Sequence, residues 1–386
     1  MKSSPKIAII YPASVPWMGL FVDGIRRFAH QFGGWRLYTS PPGLASTGES
    51  SHSVKSLVGW KGDAGIAVVS SEEEAEVAKG LSVPVINIST WVKSTYGLPR
   101  VGVDNWMAGR LAADHLIEKG LTNLVYLGWR DVYYSEQRML GFVDRARELG
   151  LTPEVRLDSP VDVGHSNWGE RLGVLEQWLS GLSHPCGIFA VHDYRAQLLM
   201  EACDGAGLRV PHDVAVMGMD NDVITCEHSM PTLTSVSRNS DLIGWETASL
   251  IHRILSGEGG GDEEILVPSD GVVARQSTDM LYLSDQVVQI AASYMISHLR
   301  QSFNMEEVAR HAGVSKRTLE MRFRSSTGKS PHQFLTEARI AHAQKLISRP
   351  DKKTLRSVAS ECGFSSYPAF FSAYQKVTGT QPSKQT

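Results

Sequence analysis

Along the first 280 residues, short β-branched runs alternate with amphipathic stretches of helical period. This alternation constrains the fold more than any other feature, because strand, helix and strand in repeated succession build parallel sheets covered by helices on both faces. The runs are KIAIIY (6–11), AGIAVVS (64–70), PVINIS (84–89), RVGVD (100–104), NLVYLG (123–128), CGIFAVH (186–192) and VAVMGMD (214–220), with later ones near TLTSVS (232–237) and EILVP (264–268). Helices are expected between them, for example VDGIRRFAHQF (22–32), NWMAGRLAADHLIEKG (105–120), SEQRMLGFVDRARELG (135–150) and WGERLGVLEQWLSG (168–181). Asp104 or Asn105 is placed to cap the second of these, and Gly120 to close it.

A chain of 386 residues exceeds one ordinary core, and its charge is divided unevenly. From Asp285 onward 15 Lys and Arg stand against 7 Asp and Glu, a net +8, while residues 1–284 carry −11. A basic block of this kind is either the footprint of a polyanion partner or simply a basic solvated surface. Cys186, Cys203, Cys226 and Cys362 form no C-x-x-C pair and no cluster with histidine at ligand spacing, so buried reduced thiols are expected. The apolar runs fall short of the roughly 18 residues of a membrane span, and KIAIIY is too short for a signal peptide, which predicts a cytoplasmic protein with no membrane contact.

The basic end has its own pattern. FNMEEVARHAGVSKRTLEMRFRSSTG reads as helix, tight turn, helix: Val308, Ala309, Val314, Leu319 and Phe323 face one core, Gly313 makes the turn and Ser315 caps the second helix. About fifty residues later LRSVASECGFSSYPAFFSAYQKVTG repeats the plan with Val358, Ala359, Gly363, Phe364, Phe370 and Tyr374, and SPHQFLTEARIAHAQKLIS (330–348) is an amphipathic helix suited to joining the copies. A reading helix enters the major groove with the exposed residues of its N-terminal part. That geometry points Arg317, Glu320 and Met321 at bases and Lys316 and Arg324 at phosphates in the first unit. In the second, Tyr367, Pro368 and Ser372 face outward and Lys376 faces a phosphate, so selection among sequences rests mainly on the first helix.

The run DNWMAGRLAADHLIEKGLTNLVYLG resembles the lactose-repressor and periplasmic sugar-binding family. The resemblance continues through SEQRMLGF (135–142), GIFAVHDYRA (187–196), VPHDVAVMGMDND (210–222), PTLTSVSRNSDLIGWETASLIHRIL (231–255) and VVARQST (272–278). It implies two lobes, each a doubly wound parallel sheet, three crossings of a hinge and a ligand held between the lobes at the strand ends. It further implies effector contacts from Asp220, whose carboxylate grips ligand hydroxyls, and from Arg138, which reaches across the cleft. His192 and Asp193 stand where the family usually has Asn-Asp; Arg238 and Ser89 lie at corresponding strand ends, Trp17 offers a stacking face, and Asp193 is alternatively a helix cap. Repressors of this family carry a DNA-reading headpiece before the first strand; here that strand begins at Lys6, so the DNA module is expected elsewhere.

The last hundred residues resemble the arabinose-regulator (AraC) family, through GFSS, the aromatic-rich helix after it and the G-x-x-P of TGTQP, with a departure at Ser372, where that family often has arginine. The order of the two modules, with RQST before the linker and TLE-x-RF in the first reading helix, resembles the enteric xylose-operon regulators and implies xylose or a related pentose as effector. The expected architecture is an α/β two-lobed sensor over residues 1–280 followed by an all-α double helix-turn-helix domain over 281–386. The expected partners are double-stranded operator DNA, a small sugar, RNA polymerase and a second copy of the chain in a homodimer, with activation favoured and no cofactor or metal. An enzyme is disfavoured by the lack of G-x-S-x-G, Walker, dinucleotide-fingerprint and H-E-x-x-H motifs. A transport-type sugar-binding protein would leave the basic tail unexplained.

Overall fold

The computed structural model describes residues 4–11, 17–39, 53–161, 167–280, 285–301, 303–347 and 354–382. The chain divides into two compact units, Met1–Asp279 and Met280–Thr386. In the first unit the strands are β1 (Lys6–Ile10), β2 (Arg36–Thr39), β3 (Ala64–Ala67), β4 (Val85–Asn87), β5 (Arg100–Val103), β6 (Leu124–Trp129), β7 (Glu154–Asp158), β8 (Cys186–Ala190), β9 (Val214–Asp220), β10 (Thr234–Ser237), β11 (Glu264–Val267) and β12 (Val272–Val273). Its helices are α1 (Met18–Phe32), α2 (Glu72–Lys79), α3 (Asn105–Glu118), α4 (Tyr133–Glu148), α5 (Trp168–Ser180), α6 (Asp193–Gly205), α7 (Val223–His228) and α8 (Ser240–Leu255).

These strands form two six-stranded sheets, ordered β11-β5-β4-β3-β1-β2 and β12-β10-β9-β8-β6-β7. Every pairing is parallel except that of β12 with β10. The fold is therefore the parallel α/β architecture that the alternation predicts, arranged in the two lobes that the resemblance implies, and the chain passes between sheets three times, after β5, after β10 and after β11. In each sheet the strand order reverses around the first strand, β1 or β6. The crevice at such a reversal, beyond the carboxyl ends of the strands, is where open parallel sheets take ligands. The polar edge strands β2 and β7 and the two-residue β12 were not anticipated; RLYT and EVRLD are largely exposed and lack the apolar run that marks a central strand.

Two helix pairs pack through glycine. A Cβ on Gly141 of α4 would lie 1.9 Å from the Trp106 carbonyl oxygen of α3, and one on Gly24 of α1 would lie 2.0 Å from the Asp241 carbonyl oxygen of α8. Gly109 and Gly244 make the reciprocal approaches. The RQST segment closes the second sheet: Ser277 donates to the Val216 carbonyl at 2.6 Å, Arg275 bonds the Leu233 carbonyl and the Asn221 side chain at 2.9 Å each, and Thr278 meets His115 at 2.8 Å. All four cysteines are buried and free.

The second unit is helical: α9 (Gln286–Ser297), α10 (Met305–His311), α11 (Lys316–Thr327), α12 (Pro331–Ile347), α13 (Leu355–Glu361) and α14 (Tyr367–Thr378). Gly313 (φ +71°) and Gly363 (φ +73°) take left-handed turns after α10 and α13, a conformation costly for a residue with a Cβ. Ser315 accepts from the Thr318 N–H at 3.2 Å and Ser366 from that of Ala369 at 3.3 Å, so both α11 and α14 begin on a hydroxyl cap. Two cores result. Val308, Ala309, Leu319 and Phe323 pack with Leu335 of α12 and with Val288, Ala291, Ala292 and Met295 of α9. Val358, Ala359, Phe370 and Tyr374 pack with Ile340, Ala343 and Leu346, further along the same α12.

Candidate functional site

In the first unit, polar side chains converge where the strands β8, β9 and β10 end. Asp220 closes β9 in a strained turn, with φ +103° at Asp220 and +51° at Asn221. The turn is held from below. The Asp193 carboxylate accepts the Asp222 N–H at 2.7 Å and the Ser235 hydroxyl at 2.6 Å, and that hydroxyl accepts the Asn221 N–H at 3.0 Å. Gly218 is bare because a Cβ there would come within 2.3 Å of the Asp193 carboxylate. Asp193 was expected to contact effector or to cap a helix. Instead it is the first residue of α6, preceded by His192 at the cap position, and both of its oxygens are spent on bracing the 220–222 turn.

Around Asp220 the site is charged and partly unsatisfied. His192 Nδ1 lies 3.0 Å from Asp220 Oδ2, and Nε2 lies 2.9 Å from the Tyr134 hydroxyl. Burial pushes the His192 pKa down, and burial also raises that of the Tyr134 hydroxyl. A neutral imidazole that donates from Nδ1 to the carboxylate and accepts from a protonated Tyr134 fits both distances. Burial alone would raise the pKa of Asp220, but the His192 hydrogen bond and the nearby charges of Arg138 and Arg238 outweigh it and hold the carboxyl at about 2. The two guanidinium groups stand 3.7 and 3.5 Å from Asp220 Oδ1, paired with it by charge but not in hydrogen-bond geometry, and that oxygen is buried with no well-placed donor. Arg238 Nε is likewise buried without an acceptor.

Each arginine is itself positioned. Asn105 accepts from Arg138 Nε at 2.9 Å while its amide donates to the Val103 carbonyl, so Asn105 orients Arg138 and the capping of α3 falls to Asp104, which accepts the Met107 N–H at 2.9 Å. Arg138 also lies over the Tyr134 ring, 5.1 Å from its centroid. Arg238 lies 3.9 Å from the centroid of Trp17, whose ring meets Tyr11 edge-on at 4.9 Å. Trp17 and Tyr11 follow and end the first run of one lobe, whereas Asp220 and Arg238 belong to the other, so residues of both lobes meet here. Backbone bonds join the lobes a little further along, from the Tyr133 and Tyr134 N–H groups to the carbonyls of Trp91 and Thr90. The Ser89 hydroxyl, expected to face ligand, accepts the Trp91 N–H at 3.1 Å and shapes this crossing.

Of the expected effector residues, the fold thus gathers Trp17, Arg138, His192, Asp220 and Arg238, and leaves Ser89 and Asp193 in supporting positions. Tyr134, Tyr11 and Tyr194, which stacks on His192 at 5.3 Å, were missed, and Asn105 was read as a helix cap. The spacing of Tyr134 four residues before Arg138 was the available signal, since i and i+4 share a helix face.

In the second unit, Lys316, Arg317, Glu320, Met321 and Arg324 are all exposed on α11. Lys316 is engaged by Glu306 at 2.8 Å. On α14, Pro368, Ser372 and Lys376 are exposed, together with Ala369 and Gln375, which were not anticipated. Tyr367 does not face freely outward as expected; it is half-buried against the second core, 6.1 Å from the Phe370 ring. Among the described residues no group of His, Cys, Asp and Glu is arranged to hold a metal ion, and no helix is long and apolar enough to cross a membrane.

Comparison with known proteins bears on both units. Residues 113–278 match the family model of periplasmic binding protein-like domains, and residues 308–385 match that of helix-turn-helix domains. The xylose operon regulatory protein of Haemophilus influenzae is 31% identical over 281 residues, covering 72% of each chain. That of Escherichia coli K12 is 27% identical over 331 residues, covering 84% of this chain and 83% of its own. In fold, the structure of the xylose-binding transcription activator XylR covers 99% of this chain and 97% of its own, with a TM-score of 0.67 and 24% identity. A periplasmic binding protein/LacI transcriptional regulator from Alkaliphilus metalliredigens complexed with D-xylulofuranose covers 71% of this chain and 99% of its own, with a TM-score of 0.55 and 22% identity. By its similarity to the Haemophilus protein over more than two thirds of both chains, the chain belongs to the family of xylose operon regulatory proteins.

Proposed function

We propose that the protein is a sugar-responsive, sequence-specific transcription regulator that takes xylose or a related pentose between its lobes and reads operator DNA with α11 and α14. The observation that carries the reading is the Asp220 carboxylate, charged, buried, bonded through one oxygen to His192 and unsatisfied at the other. A buried polar atom without a partner is uncommon in a native fold, and a ligand hydroxyl is the natural donor. Such a hydroxyl would donate to Oδ1 and accept from Arg238 Nε, with Trp17 beside it to cover the C–H face of a sugar. Sugar binding shifts an equilibrium between lobe arrangements, and the segment near 269–284, of which 281–284 lie outside the described residues, carries the change to the reading unit.

The relatives' names support xylose as effector, and the cytoplasm is the compartment in which operator DNA and RNA polymerase would be met. Activation is favoured over repression, and catalysis has no part in the reading. A homodimer is supported by Val223, Ile224 and Met230, large apolar side chains exposed together around α7. A second reading, a regulator for an acidic sugar, is favoured by the two guanidinium groups that flank a single carboxylate.

Calorimetric titration of the purified chain and of Asp220→Ala with xylose, arabinose, ribose, glucose and xylonate tests these readings. Binding of one neutral pentose, lost in the variant, is the expected result. Preference for xylonate favours the second reading, and failure of all five ligands removes the pentose assignment.

A further inference from the structure

A cavity lies in the first unit, apart from the Asp220 cluster, at the carboxyl ends of β6 and β7. Its volume is about 300 Å³, and its lining includes Arg130, Arg156, Asp158, Glu170, Arg171 and Arg195. Four guanidinium groups thus surround two carboxylates, in a unit whose charge is otherwise acidic.

The arrangement is built rather than incidental. Arg195 is almost wholly buried in the first turn of α6, its guanidinium 4.3 Å from the centroid of the Trp129 ring. It shares Asp158 with Arg156: Arg195 bonds one carboxylate oxygen, and Arg156 Nε bonds the other at 2.9 Å. Arg156 is held in turn over the Trp178 ring at 4.8 Å. One carboxylate therefore serves two stacked, immobilised guanidinium groups. Arg195 Nε is still without a hydrogen-bond partner, buried at the cavity wall. Glu170, the other carboxylate of the lining, is drawn into capping its own helix, where it accepts the Asn167 N–H at 3.1 Å. Arg130 stands exposed at the rim.

We infer that this cavity is a binding site for a small phosphorylated metabolite, distinct from the site at Asp220. Planar guanidinium groups bind tetrahedral oxyanions through paired N–H donors. A lining rich in guanidinium groups suits a phosphomonoester, which carries about −1.5 to −2 at neutral pH. The volume lies at the small end of ligand pockets, sufficient for a phosphate with a short sugar or polyol attached. Leu157, Val174 and Leu175 supply an apolar wall for that remainder. The site also adjoins the first: Arg195 lies one helical turn from His192, to whose carbonyl its N–H bonds at 3.1 Å.

The test is calorimetric titration of the full chain with glucose 6-phosphate, glucose and citrate, on the parent protein and on Arg130→Gln, Arg195→Gln and Arg317→Gln. Arg130→Gln changes only an exposed rim residue and keeps the test interpretable if Arg195→Gln does not fold, which circular dichroism would reveal. The expected result is saturable one-to-one binding of glucose 6-phosphate, absent with glucose, weakened at least tenfold by each folded lobe variant and unaffected by Arg317→Gln. Tighter binding of citrate would overturn the phosphate assignment. Binding lost in Arg317→Gln, or unmoved in Arg130→Gln, would place the anion on the basic tail or elsewhere and overturn the site.

Discussion

Replacing Asp220 by asparagine removes one charge and almost no volume, which makes it the most direct probe of the cluster. The amide oxygen can still accept from His192, but Arg138 and Arg238 lose the single carboxylate that stands between them. Removing one partner of a buried ion pair costs about 3–5 kcal/mol. Because the two arginines sit at 3.5 and 3.7 Å rather than in contact, the lower end, about 3 kcal/mol, is the expected loss. For a unit of this size each kcal/mol is worth about 2–4 °C, so melting should fall by about 6–12 °C in scanning calorimetry. Sugar affinity should fall as well: a hydrogen bond to a charged acceptor contributes about 1.5–3 kcal/mol, or about tenfold to 150-fold in Kd. The carboxyl is held at about 2, below its ordinary value, so its contribution to stability is present above the ordinary carboxylate range and is lost as pH falls towards 2. The parent should lose that increment on acidification and Asp220→Asn should not. A variant that melts with the parent at neutral pH and binds the same sugar equally well would refute the reasoning from charge and distance.

Three further outcomes are expected. Asp193 is the opposite case: burial and the charge of Asp220 raise its pKa to about 8, so the folded chain holds a proton that the unfolded chain has released, and melting temperature should decline from pH 5 to pH 9, with a flatter profile in Asp193→Asn. Gly141→Ala drives a methyl into the Trp106 carbonyl and should cost about 1–3 kcal/mol in thermal unfolding, whereas Gly19→Ala, where a Cβ meets open space, should cost far less. Arg317→Ala should weaken operator binding by about 1–3 kcal/mol and relax selectivity at one base pair in a competition assay, while leaving sugar binding unchanged.

The buried strands were legible because a strand covered on both faces must be a nearly continuous apolar run, and VAVMGMD and CGIFAVH are such runs. RLYT and EVRLD were not, because an exposed edge strand has no such requirement. The site divided along a similar line. Asp220, Arg238, His192 and Arg138 were expected from the resemblance, on short motifs at strand ends and in α4, and the fold brings them together. Tyr134 and Tyr11 were not, since Tyr134 meets His192 across 58 residues of chain and Tyr11 becomes relevant only beside Trp17. Asp193 shows the converse: its place at a strand end was readable, but nothing in the local sequence says that Ser235 and the Asp222 backbone have already claimed its oxygens. Tyr367 likewise follows a capping serine, as a reader would, yet the aromatic cluster of the second core draws its ring inward.

The joining helix α12 has a consequence for the DNA. Leu335 belongs to the first core and Ile340, Ala343 and Leu346 to the second, so one uninterrupted rod of 17 residues is built into both reading units. At 1.5 Å and 100° per residue it spans about 25 Å and sets the angle between them. On the proposed reading it works as a gauge: an operator is accepted only if its two contacted grooves fall at the separation and phase this helix dictates. One residue inserted between Leu335 and Ile340 would leave both cores intact and turn one reader about 100° away from its groove. Sites recognised by such a variant would differ from the parent's in spacing before they differed in base sequence.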